Sequence, residues 1–98
     1  MKNKSVILNN IEYEIIRDDD CFNQDIVQER IAETDYFDKF DYILGDFAYD
    51  RVRLKGYYNS KNKNASKIND FKNVEDYIKN YCQTGSKIFI LEKKQKNL

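Results

Sequence analysis

Apolar and polar residues alternate at the start of the chain, with Val6 and Leu8 before Asn9-Asn10 and Ile11, Tyr13 and Ile15 after it. A period of two marks strands that bury one face. Asn tolerates the positive φ of a tight turn, so this segment predicts a β-hairpin, closed by Asp18-Asp19-Asp20. The pattern then becomes helical. Asn23 is placed to cap a helix, Asp25 falls in its first turn, and Phe22 and Val27 hold the positions of a hydrophobic staple. Ile26, Val27, Arg30 and Ile31 form a short inward stripe that Thr34-Asp35 ends.

Two further strands follow. Phe40 to Leu44 is rich in strand formers and meets a turn signal at Gly45-Asp46. Arg51 to Lys55 alternates, with Val52 and Leu54 on one face and three cations on the other. Val74, Tyr77, Ile78, Tyr81 and Cys82 then recur at helical spacing as one apolar stripe. Asn73 is placed to cap this second helix, Asp76 sits at the capping-box position, and Gly85 is placed to end it. Ser86 to Glu92 reads as a last strand, apolar on both faces over Ile88–Leu91 and therefore central in a sheet. The elements predict an α+β fold: a small mixed or antiparallel sheet of about five strands, with two helices packed on one face.

Length changes the picture only by setting its scale. Ninety-eight residues form a single domain, 1–98, with its core over about 5–92. Asn59–Asn69, rich in Asn, Lys and Ser, reads as a mobile surface loop, and the basic tail 93–98 as frayed. Eight Tyr and six Phe supply much of the core's bulk, each burying on the order of 150–250 Å². No apolar run approaches the ~20 residues of a membrane-spanning helix, and the basic start lacks the apolar stretch of a signal peptide. The expected location is the cytoplasm, which suits two cysteines, Cys21 and Cys82, held as thiols.

The formal charge is zero, yet residues 1–50 carry 13 acids against five bases and residues 51–98 carry 12 bases against four acids. Such a division gives either a basic and an acidic face or two halves that pair their charges on folding.

Histidine is absent. With it go the commonest general base and metal ligand and every Ser-His or Cys-His arrangement. The three glycines are isolated, so there is no phosphate-binding loop. Neither a cofactor nor a metal is expected. Asp41, Asp46 and Asp50 cluster around one strand end, where a hydrated Mg²⁺ could sit, but Asp is also the ordinary residue of strand ends and turns. The basic strand is the stronger candidate for binding. Arg51, Arg53 and Lys55 project to one side, Tyr57 and Tyr58 follow, and Lys61, Lys63 and Lys67 lie in the loop. Cations that track phosphates beside tyrosines that stack on bases are what single-strand binders use. A solvated sheet face that resists edge pairing needs the same cations, and tyrosines beside it can simply pack their rings into the core.

Asp41-Tyr42-Ile43-Leu44-Gly45-Asp46 followed by Arg53-Leu54-Lys55-Gly56-Tyr57-Tyr58 resembles the core signature of the YutD-like family of Gram-positive bacteria. Ile11–Ile16, Cys21-Phe22-Asn23, Tyr81-Cys82 and Phe89–Lys93 extend the resemblance over about residues 6 to 93. The chain departs from it at Phe47, where Trp is usual, and in its Asn/Lys-rich loop. The resemblance implies a small cytosolic α+β domain and adds no reaction, substrate or partner. It marks Gly45-Asp46 and Lys55-Gly56 as family features, glycines where a Cβ would block a conformation or a close approach.

The leading expectation is a non-catalytic binding or adaptor domain, monomeric or weakly self-associating, that meets a protein or an RNA through the face of residues 51–55. A protein partner would call for an exposed apolar patch such as Phe47 and Tyr49. The alternative is a small carboxylate-dependent enzyme centred on Asp46. In a third reading the chain is a subunit stable only in an oligomer, with the apolar strand 88–91 at a sheet edge.

Overall fold

The structure is a computed structural model, and it describes residues 4–48, 51–81 and 86–94. Tyr49, Asp50, Cys82, Gly85 and the tail beyond Lys94, all of which figure in the expectations above, lie outside the described residues.

Asn9 and Asn10 take φ of 51° and 67°, the left-handed values of a two-residue hairpin turn. They join β1 (Ser5–Leu8) to β2 (Ile11–Asp18) with Leu8 opposite Ile11. The Asp18-Asp19-Asp20 closure works through its side chains: Asp18 Oδ1 accepts from the N–H groups of Cys21 and Phe22, and Asp19 Oδ2 from that of Ile88. Asn23 then caps α1 (Gln24–Ala32), its Oδ1 accepting from Ile26 N at 3.1 Å. Only Val27 and Ile31 of the expected stripe are buried, while Ile26 and Arg30 face water. A nine-residue helix presents one i, i+4 row to the sheet, and that row is what this helix buries.

A 3₁₀ turn over Tyr36–Lys39 leads to β3 (Tyr42–Ala48), which pairs with β4 (Arg51–Tyr57). β3 runs straight through Gly45-Asp46, so the turn signal there is overruled. Gly45 is required because a Cβ would come within 2.0 Å of the tip of the Phe89 ring, and Asp46 faces Arg53 across the ladder. Gly56 has the same origin, lying under the ring of Phe40. A second 3₁₀ turn, Phe71–Asn73, opens α2 (Val74–Tyr81). Its cap is Asp70, which accepts from Lys72 N, and not Asn73, whose amide reaches back to Lys67 O.

β5 (Ile88–Lys93) lies between β2 and β3, giving an antiparallel sheet in the order β1-β2-β5-β3-β4. Its central position leaves no edge at 88–91 for an oligomer to use. The helices, expected on one face, take opposite faces. Ile43, Phe89 and Leu91 pack with Val27 and Ile31 of α1, whereas Tyr42, Leu44, Ile88 and Ile90 pack with Val74 of α2. A central strand apolar on both sides requires cover on both sides. Ile16 lies on the α2 side by alternation with Ile15, and a register shift between Ile15 and Arg17 sets Arg17 opposite Ile90 on that same side, where it reaches Glu75. The charge-divided halves interleave in this sheet, and Arg53–Asp46, Lys94–Glu12 and Arg17–Glu75 pair across the division.

Tyr13 is fully buried and its hydroxyl meets no hydrogen-bond partner among the described residues. Burial, and then the charge of Asp38, push its phenol up to about 12. The folded state therefore keeps a proton that the unfolded chain releases from about pH 10 onward. The stability this group contributes is intact below pH 10 and is lost as pH rises through 12. Tyr13→Phe should raise stability by about 1 kcal/mol at neutral pH, because it removes an unsatisfied hydroxyl. It should also flatten the alkaline fall in Tm. Thermal melts of both proteins from pH 7 to 11 check this, and an equally steep fall in the variant would refute it.

Candidate functional site

The face of β4 that carries the cations is the face that α2 covers. The described residues of α2 pack over β3 and β5, and the β4 side of this layer holds a cleft. Its floor is Lys55 and Tyr57, one wall is Tyr77 and Tyr81 of α2, and the other is Lys67 and Ile68 of the loop. Asn73, Asp76 and Asn80 complete its rim, and its volume is about 430 Å³.

Lys55 is the centre of the cleft. Its ammonium donates to Ile68 O at 3.0 Å and lies 4.8 Å from the Tyr57 ring centre and 5.3 Å from that of Tyr77. Burial pulls its pKa below the usual lysine value, and the two ring faces offset part of that cost. Tyr77 stacks on Tyr81 at 5.1 Å and meets Tyr57 edge-on at 6.3 Å. Two large side chains at the mouth stay in water: Ile68 is 76% and Tyr81 70% exposed.

The wall that carries Ile68 is held by two carboxylates. Asp41 accepts from Asn59 N at 2.8 Å and from the Asn62 amide at 3.1 Å. Asp70 accepts from the Ser60 hydroxyl and from Lys72 N, and these bonds hold its carboxyl below the usual Asp range. Between them the loop folds as successive turns, with Asn62 N bonded to Asn59 O and Ala65 N to Asn62 O.

The sequence-predicted residues separate here. Lys55 is in the cleft and Arg51 is exposed at the start of β4. Arg53 also reaches the surface, but its guanidinium is engaged: Nε donates to Asp46 Oδ1 at 3.1 Å and a terminal nitrogen to Oδ2 at 2.6 Å. Tyr57 is 1% exposed, and Tyr58 is buried against Phe40 at 4.8 Å. Neither ring is open to a base, because each packs into the core as a strand-end aromatic does. Asp46, the catalytic candidate, is 5% exposed and holds Arg53 with both oxygens. Lys55 is turned away from it toward Ile68. Asp41 and Asp46 are five residues apart on an extended chain, on the order of 16 Å, so the two do not share an ion. Among the described residues no group of three or more Cys, Asp or Glu is placed to hold a metal. Phe47, offered as an apolar patch, is partly buried against the α1 layer.

Sequence reasoning missed Ile68, Tyr77 and Tyr81 as site residues. Tyr77 and Tyr81 belonged to the inward stripe of α2, but Tyr81 faces water and Tyr77 is only partly covered. A second cleft of about 430 Å³, between Asp41, Tyr42, Asn59, Glu92, Lys93 and Lys94, differs in kind. Its charges are engaged internally, with Tyr42 on Glu92, Lys93 on the Asp38 carbonyl and Lys94 on Glu12, and it has no exposed apolar wall. Cys21 is a free thiol that burial, with Asp18 and Asp19 nearby, pushes up to about 11, which leaves it protonated and unreactive at neutral pH.

The comparisons with known proteins agree with one another. A family model described as "Putative antitoxin YutD-like" matches residues 7–92. The chain is similar to "Putative antitoxin YutD" of Bacillus subtilis (strain 168), with 32% identity over 92 residues that cover 93% of this chain and 99% of that protein. It is also similar to the solution NMR structure of protein yutD from B. subtilis, with a TM-score of 0.76 and 29% identity, covering all of this chain and 88% of the other. No described helix is long and apolar enough to cross a membrane.

Proposed function

The chain belongs to the YutD-like family, and from that membership and the geometry of the Lys55 cleft we propose that it is a non-catalytic module that holds a partner protein. The observation that carries this is the pair of exposed side chains, Ile68 and Tyr81, flanking a half-buried lysine cation over two tyrosine rings. Aromatic and aliphatic anchors at the centre of a polar rim are the composition of a protein-binding hot spot. The reading fits the antitoxin description of the Bacillus relative: on it, the chain neutralises its partner by occupying it and needs no reaction. It also fits the removal of Tyr57 and Tyr58 from contact with bases, which takes away the stacking half of an RNA interface. Asp46, closed off by Arg53, offers no opening for a substrate.

The test is capture from lysate of the native host with the wild-type chain and with Ile68→Asp/Tyr81→Ala, each with and without RNase. Both positions are exposed, so the variant should keep the wild-type circular dichroism and Tm. We expect a protein that survives RNase on the wild type and falls at least about tenfold on the variant. Loss of all partners on RNase treatment, or equal capture by both chains, would overturn the reading.

A further inference from the structure

We propose that Lys55 works inside the protein as a positioning residue: its ammonium docks the turn Ser66–Asn69 on the sheet and so holds Ile68 out to the partner. The inference rests on the protein-binding reading above and names what keeps that surface in shape.

The turn is closed by its own ends. Asn69 N donates to Ser66 O at 3.1 Å, and Asn69 Oδ1 accepts from Ser66 N at 2.7 Å and from the Ser66 hydroxyl at 3.0 Å. Tyr58 N then fixes the exit of the turn through Asn69 O at 2.7 Å. Its two central residues are docked differently, by side chains that reach their carbonyls. Lys67 O accepts from Asn73 Nδ2 at 3.1 Å, and Ile68 O accepts from Lys55 Nζ at 3.0 Å. Asn73 lies in the 3₁₀ turn that opens α2 and Lys55 lies on β4. The turn is thereby held to the helix on one side and to the sheet on the other, and it forms the outer wall of the cleft.

That docking explains an apolar side chain left in water. Ile68 sits at the tip of the turn and is 76% exposed, although an aliphatic group gains by burial. Its carbonyl is held on the cleft side by Lys55, and swinging the side chain inward would rotate that peptide off the ammonium. A charged donor makes the stronger bond to a carbonyl. The Tyr57 and Tyr77 rings, at 4.8 Å and 5.3 Å, steady the cation where it is half-buried. Lys55 therefore acts through Ile68, and the surface offered to the partner is Ile68 with Tyr81.

The test compares Lys55→Met, Lys55→Arg and Asn73→Ala in the full chain, by amide hydrogen exchange and by capture of the RNase-resistant protein from host lysate. Met removes the charge and the donor, whereas Arg keeps both. The N–H groups of Asn69 and Asp70 both bond to Ser66 O and report on the turn. In Lys55→Met their exchange should speed up at least about tenfold while β3 and β5 stay protected, and capture should fall with it. Lys55→Arg should keep most of the protection and most of the capture. Asn73→Ala removes the neighbouring docking bond and should loosen the same two amides, which keeps the proposal testable if Lys55→Met fails to fold. Adding Lys55→Met to Ile68→Asp/Tyr81→Ala should lose no further capture. Unchanged exchange at Asn69 and Asp70 in Lys55→Met would overturn the proposal. So would capture that falls while exchange holds, which would make Lys55 a direct contact. If Ile68→Asp/Tyr81→Ala captures as well as the wild type, the hot-spot reading fails, and the exchange data still decide whether Lys55 docks the turn.

Discussion

Gly45→Ala should destabilise the protein by about 3 kcal/mol, lowering Tm by roughly 15 °C for a domain of this size. The sign is not obvious, since Ala in a strand ordinarily gains ~0.5–1 kcal/mol over Gly by restricting the unfolded chain. Here the new methyl would come within 2.0 Å of the Phe89 ring tip. That ring is fully buried and held edge-on by Phe22 at 5.2 Å, so it has nowhere to yield. Overpacking of this kind costs about 1–3 kcal/mol, against a total stability on the order of 5–15 kcal/mol. Phe89→Leu removes the obstacle, so Gly45→Ala/Phe89→Leu should be more stable than the sum of the single changes implies. Thermal denaturation of the four proteins measures this as a coupling free energy. Additive single effects, or a neutral Gly45→Ala, would mean that the glycine is there for another reason.

The ion pair between Asp46 and Arg53 should answer unequally to loss of its two partners. The carboxylate is buried, whereas about half of the guanidinium side chain is in water. Arg53→Met strands a buried charge and should cost about 2–3 kcal/mol, at the lower end for a buried pair because water reaches Arg53. Asp46→Asn leaves a cation that is already half in water and should cost about 1 kcal/mol. Replacing both, as Asp46→Leu/Arg53→Met, should recover most of the larger loss. Urea midpoints separate these cases, and equal costs for the two single variants would show that Asp46 is effectively solvated. The asymmetry matters for any test of the basic strand. Neutralising Arg51, Arg53 and Lys55 together would damage the sheet as well as the surface, so Arg51 is the position at which charge can be changed alone.

Local chemistry carried most of the fold in the sequence. The Asn9-Asn10 turn, the Asn23 cap and the doubly apolar Ile88–Leu91 each depend on residues adjacent in the chain. What did not show depends on residues far apart. Gly45-Asp46 looks like a turn until Phe89 and Arg53 are brought beside it, and Asn73 looks like a cap until Asp70 is seen to open the helix one 3₁₀ turn earlier. The site was legible only in its strand. Lys55 stood out by alternation, whereas Ile68 and Tyr81 become neighbours through a loop whose course is set by Asp41 and Asp70. Tyr57 and Tyr58 could by sequence either stack on bases or pack their rings into the core, and packing takes both.

The placement of β5 bears on how the molecule comes into being. The first two strands form one hairpin and the next two another, and no described pairing joins them directly: β5 is hydrogen-bonded to both. A hairpin alone is marginal in water. As the chain leaves the ribosome, neither half can complete its sheet until residues 88–93 have emerged. From the completion of β4 until β5 arrives, the nascent protein therefore carries two sheet edges, on β2 and β3, that only β5 closes.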